Sequence, residues 1–268
     1  MRSATFQGGF GSELPGKYID DLVANWPSRV NNYTQVPDPV SVYRAVLARQ
    51  PDASVTIASI GFLTNLAALL RSSGDKHSRL NGVQLIASKV KEIVVMGGKY
   101  PSSDGQTTEW NFGGGGNATV AAGSASSALQ NRPHGIRVVF SGFEVGENIY
   151  TGAKLSTCAP VHSPCRQAYV DLQGVNTGRE SWDPLTTLVA VRGINASQYT
   201  QQGRGGLNVV NASTGANRWQ FNVSDKVESV FLVLHNASSA DIARTIDGLL
   251  CQPPAPGLSR GRNTATVP

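Results

Sequence analysis

The stretch 107–118, TTEWNFGGGGNA, sets a carboxylate and a carboxamide two residues apart and follows them with four glycines. On an extended or turn-like backbone Glu109 and Asn111 point to one side and Trp110 to the other. The pair therefore shares one pocket, and convergent carboxylate and amide groups are what a sugar's hydroxyls require. The glycines admit a moving loop or a ligand lying against the backbone. No Lys-Ser or Lys-Thr follows them, so a phosphate-cradling loop is not expected. The competing reading of the whole stretch is a polar surface turn.

Other candidate groups are sparse. Cys158 and Cys165 flank APVHSP, a loop that a disulfide could close, contributing roughly 2.5 kcal/mol in the chain-entropy model and then leaving Cys251 unpaired; the pairing of the three cysteines is left open. A zinc site through His162 has no second Cys-His cluster to complete it. Six N-x-Ser/Thr sequons begin at Asn32, Asn117, Asn195, Asn211, Asn222 and Asn236, none with proline in the middle. They predict a secreted glycoprotein. Residues 1–20 hold no apolar h-region, so the expectation is a leader already removed or a start lying further upstream.

Charge narrows the partners. The formal net charge is +5, with an isoelectric point near 9.2, but Lys and Arg are scattered and form no stripe interleaved with aromatics. No nucleic-acid groove is expected. No run of ~18 apolar residues occurs, so no membrane-spanning helix is expected either.

The elements that must position these groups alternate. Residues 40–51 carry apolar side chains at helical spacing, SVTIASI at 54–60 reads as a strand ending at Gly61, and FLTNLAALLRSSG as the helix after it. The unbroken apolar run EIVVMGG at 92–98 fits a strand buried on both faces. A small-residue helix at 118–129 and the strand IRVVFSGF at 136–143 repeat the unit. Further on come a helix starting at WDPLT, a hairpin around Ser213-Thr214-Gly215, the strand VESVFLVL, and a helix with Ile242, Ile246 and Leu249 on one face. The fold class is α/β: an open, mostly parallel sheet flanked by helices, with a C-terminal hairpin, strand and helix. Residues 1–251 read as one domain, incomplete at its amino end, and 252–268 as a disordered tail. Ligands of such sheets bind at the carboxyl ends of the strands, where SIGFLTN, MGGKYP to EWN, and SGFEVGEN all fall.

In that order the segments GFLTNLA (61–67), KEIVVMGG (91–98), EWN (109–111), GFEVGE (142–147) and WDPLT (182–186) resemble the inosine/uridine-preferring nucleoside hydrolases, particularly their secreted fungal-type branch. The resemblance runs from about residue 40 to about residue 250. It implies hydrolysis of the N-glycosidic bond of ribonucleosides with one bound Ca²⁺, the ribonucleoside being the implied partner and self-association left open. By family match Asp183 is a calcium ligand, Ile60 offers the ion its backbone carbonyl, and Glu109 and Asn111 hold ribose hydroxyls. Asp183 also suits a helix N-cap.

The departures carry equal weight. The family's amino-terminal DxDxxxDD motif, which supplies the general base and most calcium ligands, has no counterpart in residues 1–268. Asp20-Asp21 is the lone Asp pair and reads as a solvated helix face. Trp182 stands where some members place a proton-donating His, and it either packs in the core or stacks on the base. Four glycines replace the usual Asp-Pro after the Glu-x-Asn pair. No catalytic residue is assigned. The expectation is an inactive or impaired hydrolase, with a secreted nucleoside- or partner-binding pseudoenzyme as the alternative and a carbohydrate-binding module as the third.

Overall fold

The computed structural model describes residues 17–253 apart from 27, 29, 31, 103–107, 115–116 and 225–227. The expected tail is outside the described residues from position 254 onward.

Helices α1 (Lys17–Asn25), α2 (Pro39–Ala48), α3 (Thr64–Leu70), α4 (Gly82–Lys89) and α5 (Ala118–Gln130) occupy the first half, with strands β1 (Val55–Ser59), β2 (Val90–Met96) and β3 (Arg137–Ser141). The second half adds short helices α6 (Phe143–Gly146) and α7 (Leu155–Cys158), then α8 (Pro164–Gln173), α9 (Trp182–Arg192) and α10 (Ser239–Leu250). Its strands are β4 (Tyr150–Thr151), β5 (Arg179–Glu180), β6 (Tyr199–Gln202), β7 (Leu207–Val210), β8 (Asn217–Gln220) and β9 (Ser229–Leu234).

The main sheet runs β1-β2-β3-β9-β6, parallel except for β6, which pairs antiparallel with β9 at one edge. β2 lies between two partners and buries Ile93, Val94, Val95 and Met96 in succession, as its unbroken apolar run predicts. Successive side chains serve opposite faces. Ile93 and Val95 join a core formed with Leu47 of α2, Leu66 of α3, Leu85 of α4 and Leu129 of α5, while Val94 joins Leu185 and Val189 of α9 and Ile242 and Ile246 of α10. On α10 the inward face continues to Leu250, and Leu249 is 41% exposed, because the helical step from Ile246 to the core is four residues.

The hairpin β7-β8 forms around Ser213-Thr214-Gly215 as expected. The disulfide does not close the short loop between Cys158 and Cys165. Cys158 bonds Cys251 across 93 residues, and Cys165 is free and exposed. The cause is the docking of α10 against β4, where the Gly152 N–H donates to Asp247 Oδ1 at 2.7 Å, which brings the end of α10 to the end of α7. Cys165 lies instead in the first turn of α8, whose cap is the Ser163 hydroxyl accepting from the Arg166 N–H.

Candidate functional site

The carboxyl ends of the parallel strands place three short segments on one edge of the sheet: Ile60 after β1, Gly97-Gly98-Lys99 after β2, and Gly142-Phe143-Glu144 after β3. Glu109 and Asn111 reach the same edge. Both are buried and Trp110 is 43% exposed, the disposition their spacing predicts, although the backbone there is a tight 3-10 turn over Trp110–Phe112.

Glu109 is held by backbone. Its Oε2 accepts from the Gly98 N–H at 3.0 Å and its Oε1 from the Asn111 N–H at 2.9 Å. Gly98 has φ +79°, a left-handed conformation that turns its N–H to the carboxylate and that side chains resist. Burial pushes the Glu109 carboxyl up to about 7; the backbone donors pull the other way, and the negative charge of Asp183 adds to the rise. Asp183 is set beside these groups by α9, where the preceding Trp182 donates its Nε1 to the Phe143 carbonyl just after β3. Asn111 spends its Nδ2 on the Met96 carbonyl at 3.1 Å and the Met96 sulfur at 3.0 Å, which leaves its Oδ1 as the outward-acting group.

Asp183 is the second residue of α9, whose N-cap is Ser181, so it does not serve as the cap. Its carboxylate accepts no hydrogen bond from the described residues. Asp183 is open at its surface yet ringed by protein, and this enclosure pushes its carboxyl up to about 6 against the pull of Arg179. Trp182 is committed to its neighbours: Nε1 donates to the Phe143 carbonyl at 2.7 Å, and the ring meets that of Phe143 at 5.1 Å between centroids. Lys99 Nζ sits 4.5 Å from the centre of the Phe143 ring.

Gly113 and Gly215 serve contact. Gly215 has φ +75°, and a Cβ there would stand 2.1 Å from the Phe112 carbonyl oxygen, while one on Gly113 would stand 2.7 Å from the Thr214 oxygen. The β7-β8 turn is thus seated directly on the Glu109–Gly114 loop.

Several residues of this edge are absent from the sequence reading. Both carboxylate oxygens of Glu144 are buried without a hydrogen-bond partner among the described residues, and burial pushes that carboxyl up to about 7. Tyr100, fully buried, takes a hydrogen bond from Asn208 Nδ2 at 2.8 Å and donates to the Gly97 carbonyl at 3.1 Å. Burial raises its phenol, with Glu144 and Glu109 adding to the rise. Glu144 was visible within GFEVGE. Nothing local marks Asn208, because its bond to Tyr100 spans 108 residues of chain.

Calcium does not fit the described residues. No group of three His, Cys, Asp or Glu side chains comes together among them, and Asp183 with the Ile60 carbonyl falls far short of the six to eight oxygens that the ion takes. Asp20 and Asp21 lie on α1, which packs on α8, and Asp21 accepts from its own neighbour Asn25 at 2.8 Å. A pocket of 370 Å³ lined by Arg132, His134 and Glu228 opens where the chain enters β3 and β9, the opposite edge from these groups.

Comparison with solved structures bears on the fold. A plant nucleoside hydrolase superposes with a TM-score of 0.58 at 17% identity, covering 88% of this chain and 75% of its own. The fold is that of the nucleoside hydrolases. The inosine-uridine preferring nucleoside hydrolase of Bacillus anthracis gives a TM-score of 0.54 at 16% identity, covering 91% of this chain and 78% of its own. The type III effector XopQ, solved with adenosine diphosphate ribose, gives 0.50 at 16% identity, over 80% of this chain and 64% of its own. No sequence-family model matches the chain, and a search of curated proteins finds no match. At these identities the nucleoside hydrolase likeness is one of fold.

Proposed function

We propose that this chain binds a ribonucleoside at the carboxyl edge of its sheet, on the plan of a ribonucleoside N-ribohydrolase, and by itself cleaves the N-glycosidic bond slowly or not at all. The observation that carries the reading is the convergence of Glu109, Asn111 and Asp183 on one edge: Glu109 is held by Gly98, Asn111 by Met96, and Asp183 follows Trp182, which is bonded to the Phe143 carbonyl. Each Glu109 oxygen already accepts one backbone N–H and retains capacity for one ribose hydroxyl, and the Asn111 Oδ1 accepts another. The aromatic pair Phe143 and Trp182 supplies an apolar wall for a base.

Binding without turnover is favoured by what the groups are already doing. Release of the base calls for a proton donor, and the Trp182 N–H is spent on the Phe143 carbonyl. Activation of water calls for a positioned general base, typically contributing about 10²–10⁴-fold, and the aspartate-rich motif that would hold it is absent from residues 1–268. Calcium is the ion this reading implies. One carboxylate with one carbonyl predicts weak affinity, because affinity follows ligand charge and number. The finer placement in a secreted fungal-type branch rests on the sequence segments alone.

Titration calorimetry with inosine and uridine tests the binding, and ribose release with and without a chelator tests the turnover. Saturable binding with no ribose release is the expected outcome. Failure of both nucleosides to bind overturns the reading, and calcium-dependent turnover overturns its inactive part.

A further inference from the structure

The sequence contains six sequons, and their asparagines share one disposition in the fold. Asn32, Asn117, Asn195, Asn211, Asn222 and Asn236 are all exposed. Where their side chains are engaged, the engaged atom is Oδ1. Asn32 accepts from the Thr34 N–H and hydroxyl, both at 3.0 Å; Asn195 accepts from the Ser197 N–H at 3.0 Å and hydroxyl at 2.8 Å. Asn211 accepts from the Ser213 and Thr214 N–H groups, and Asn117 caps α5 by accepting from the Val120 N–H at 3.2 Å. None of the six donates through Nδ2 to a described residue. The buried asparagines outside sequons do the reverse: Asn111, Asn208 and Asn217 all spend Nδ2 inside the protein.

Nδ2 is the atom that carries an N-linked sugar. A glycan attached while the chain is being made persists in a folded molecule only where that nitrogen faces solvent and owes nothing to the fold. We propose that these six asparagines are N-glycosylation sites and that the chain folds in the secretory pathway. In the transfer, Nδ2 bonds to the anomeric carbon of a lipid-linked oligosaccharide. The bond from that carbon to the pyrophosphate oxygen breaks, the lipid pyrophosphate leaves with the electron pair, and the amide gives up one proton. The Cys158–Cys251 disulfide is a second, independent mark of the same compartment, since such bonds persist under oxidising conditions.

The sites are placed to matter. Asn195 precedes β6 and Asn236 follows β9, and Ser238 Oγ donates to the Ser197 carbonyl at 3.3 Å, so two glycans rise beside the antiparallel edge strand. Bulky solvated groups there block edge-to-edge pairing. Asn117 and Asn211 belong to the α5 start and the hairpin turn that border the Glu109–Gly114 loop.

The test is to secrete the full 268-residue chain behind a cleavable leader from eukaryotic cells and release glycans with peptide-N-glycosidase in ¹⁸O-water. Labelled aspartate is expected at all six positions in protein that is folded and monodisperse. Thr119→Ala and Ser213→Ala each remove one label and leave the Asn117 and Asn211 oxygen bonds to backbone intact, so melting is expected to stay unchanged. A secreted, folded chain lacking label at a site overturns that site. A secreted, folded chain lacking label at all six positions overturns the proposal as a whole.

Discussion

Asn217 grips both backbone polar groups of Lys99: its Oδ1 accepts from the Lys99 N–H at 3.0 Å and its Nδ2 donates to the Lys99 carbonyl at 3.0 Å, across 118 residues of chain. The residue is fully buried, and the same Nδ2 also reaches Asn208 Oδ1 at 3.2 Å. Through Lys99 the hairpin fixes the turn from which Gly98 holds Glu109.

Asn217→Ala leaves the Lys99 donor and acceptor without partners in a dry place. The expected cost is about 2–6 kcal/mol, taking roughly 1–3 for each of the two orphaned groups. Urea denaturation measures it. A loss under ~0.5 kcal/mol, the scale of an ordinary surface substitution, would mean the turn is held by something else.

Ligand affinity should depend on the site pair more than on the fold. Removing a hydrogen bond to a charged group costs about 1.5–3 kcal/mol, so Glu109→Ala is expected to weaken nucleoside binding at least ~10-fold. Asn111→Ala should weaken it less, since only the carboxamide oxygen faces the ligand. Calorimetric titration of each variant, with circular dichroism to verify folding, decides whether either residue touches the sugar.

Stability should fall as pH rises through the neutral range. The Glu144 carboxyl is raised from 4.5 to about 7 by burial, with Glu147 adding to the rise and Lys99 and nearby backbone N–H groups opposing it. Between those values the folded state holds a proton that the unfolded state has lost. The contribution is therefore complete below pH ~4.5 and gone above ~7, amounting to about 3 kcal/mol at ~1.4 per pH unit. Glu109, also raised to about 7, acts in the same direction. Glu144→Gln should flatten the pH profile and make the protein more stable than wild type at pH 8, measured by urea denaturation at pH 5 and pH 8. A variant that retains the full wild-type slope contradicts the assignment.

The sheet was legible because β2 carries four consecutive buried residues and strands alternate with helices at short spacing. The inward turn of Glu109 and Asn111 was legible from period-two spacing. What escaped depends on chain crossings. Glu109 and Asp183 are 74 positions apart and meet only because β2 and α9 are packed together. α8 escaped for a different reason: it buries no residue fully, so it shows no clear apolar stripe despite its Ser163-Pro164 start. The cysteine pairing was not legible because spacing shows only that a short loop is cheaper to close than a long one. The fold had already closed the long one by docking α10.

Cysteine variants separate those two pairings. Cys251→Ser opens a loop of 93 residues and should cost up to about 4.5 kcal/mol in the chain-entropy model, whereas Cys165→Ser should cost nothing measurable. Equilibrium unfolding of both variants under non-reducing conditions is the measurement. Destabilisation by Cys165→Ser with an unaffected Cys251→Ser would restore the pairing suggested by sequence spacing.

The clasp between Cys158 and Cys251 also determines how the molecule bears load. Tension on the chain beyond Cys251 passes through the sulfur bridge into α7 and does not peel α10 from the sheet one turn at a time. With the bridge intact the last helix behaves as a riveted strut. Once reduced it becomes the free end of a zipper, whose teeth part in the order Leu250, Ile246, Ile242.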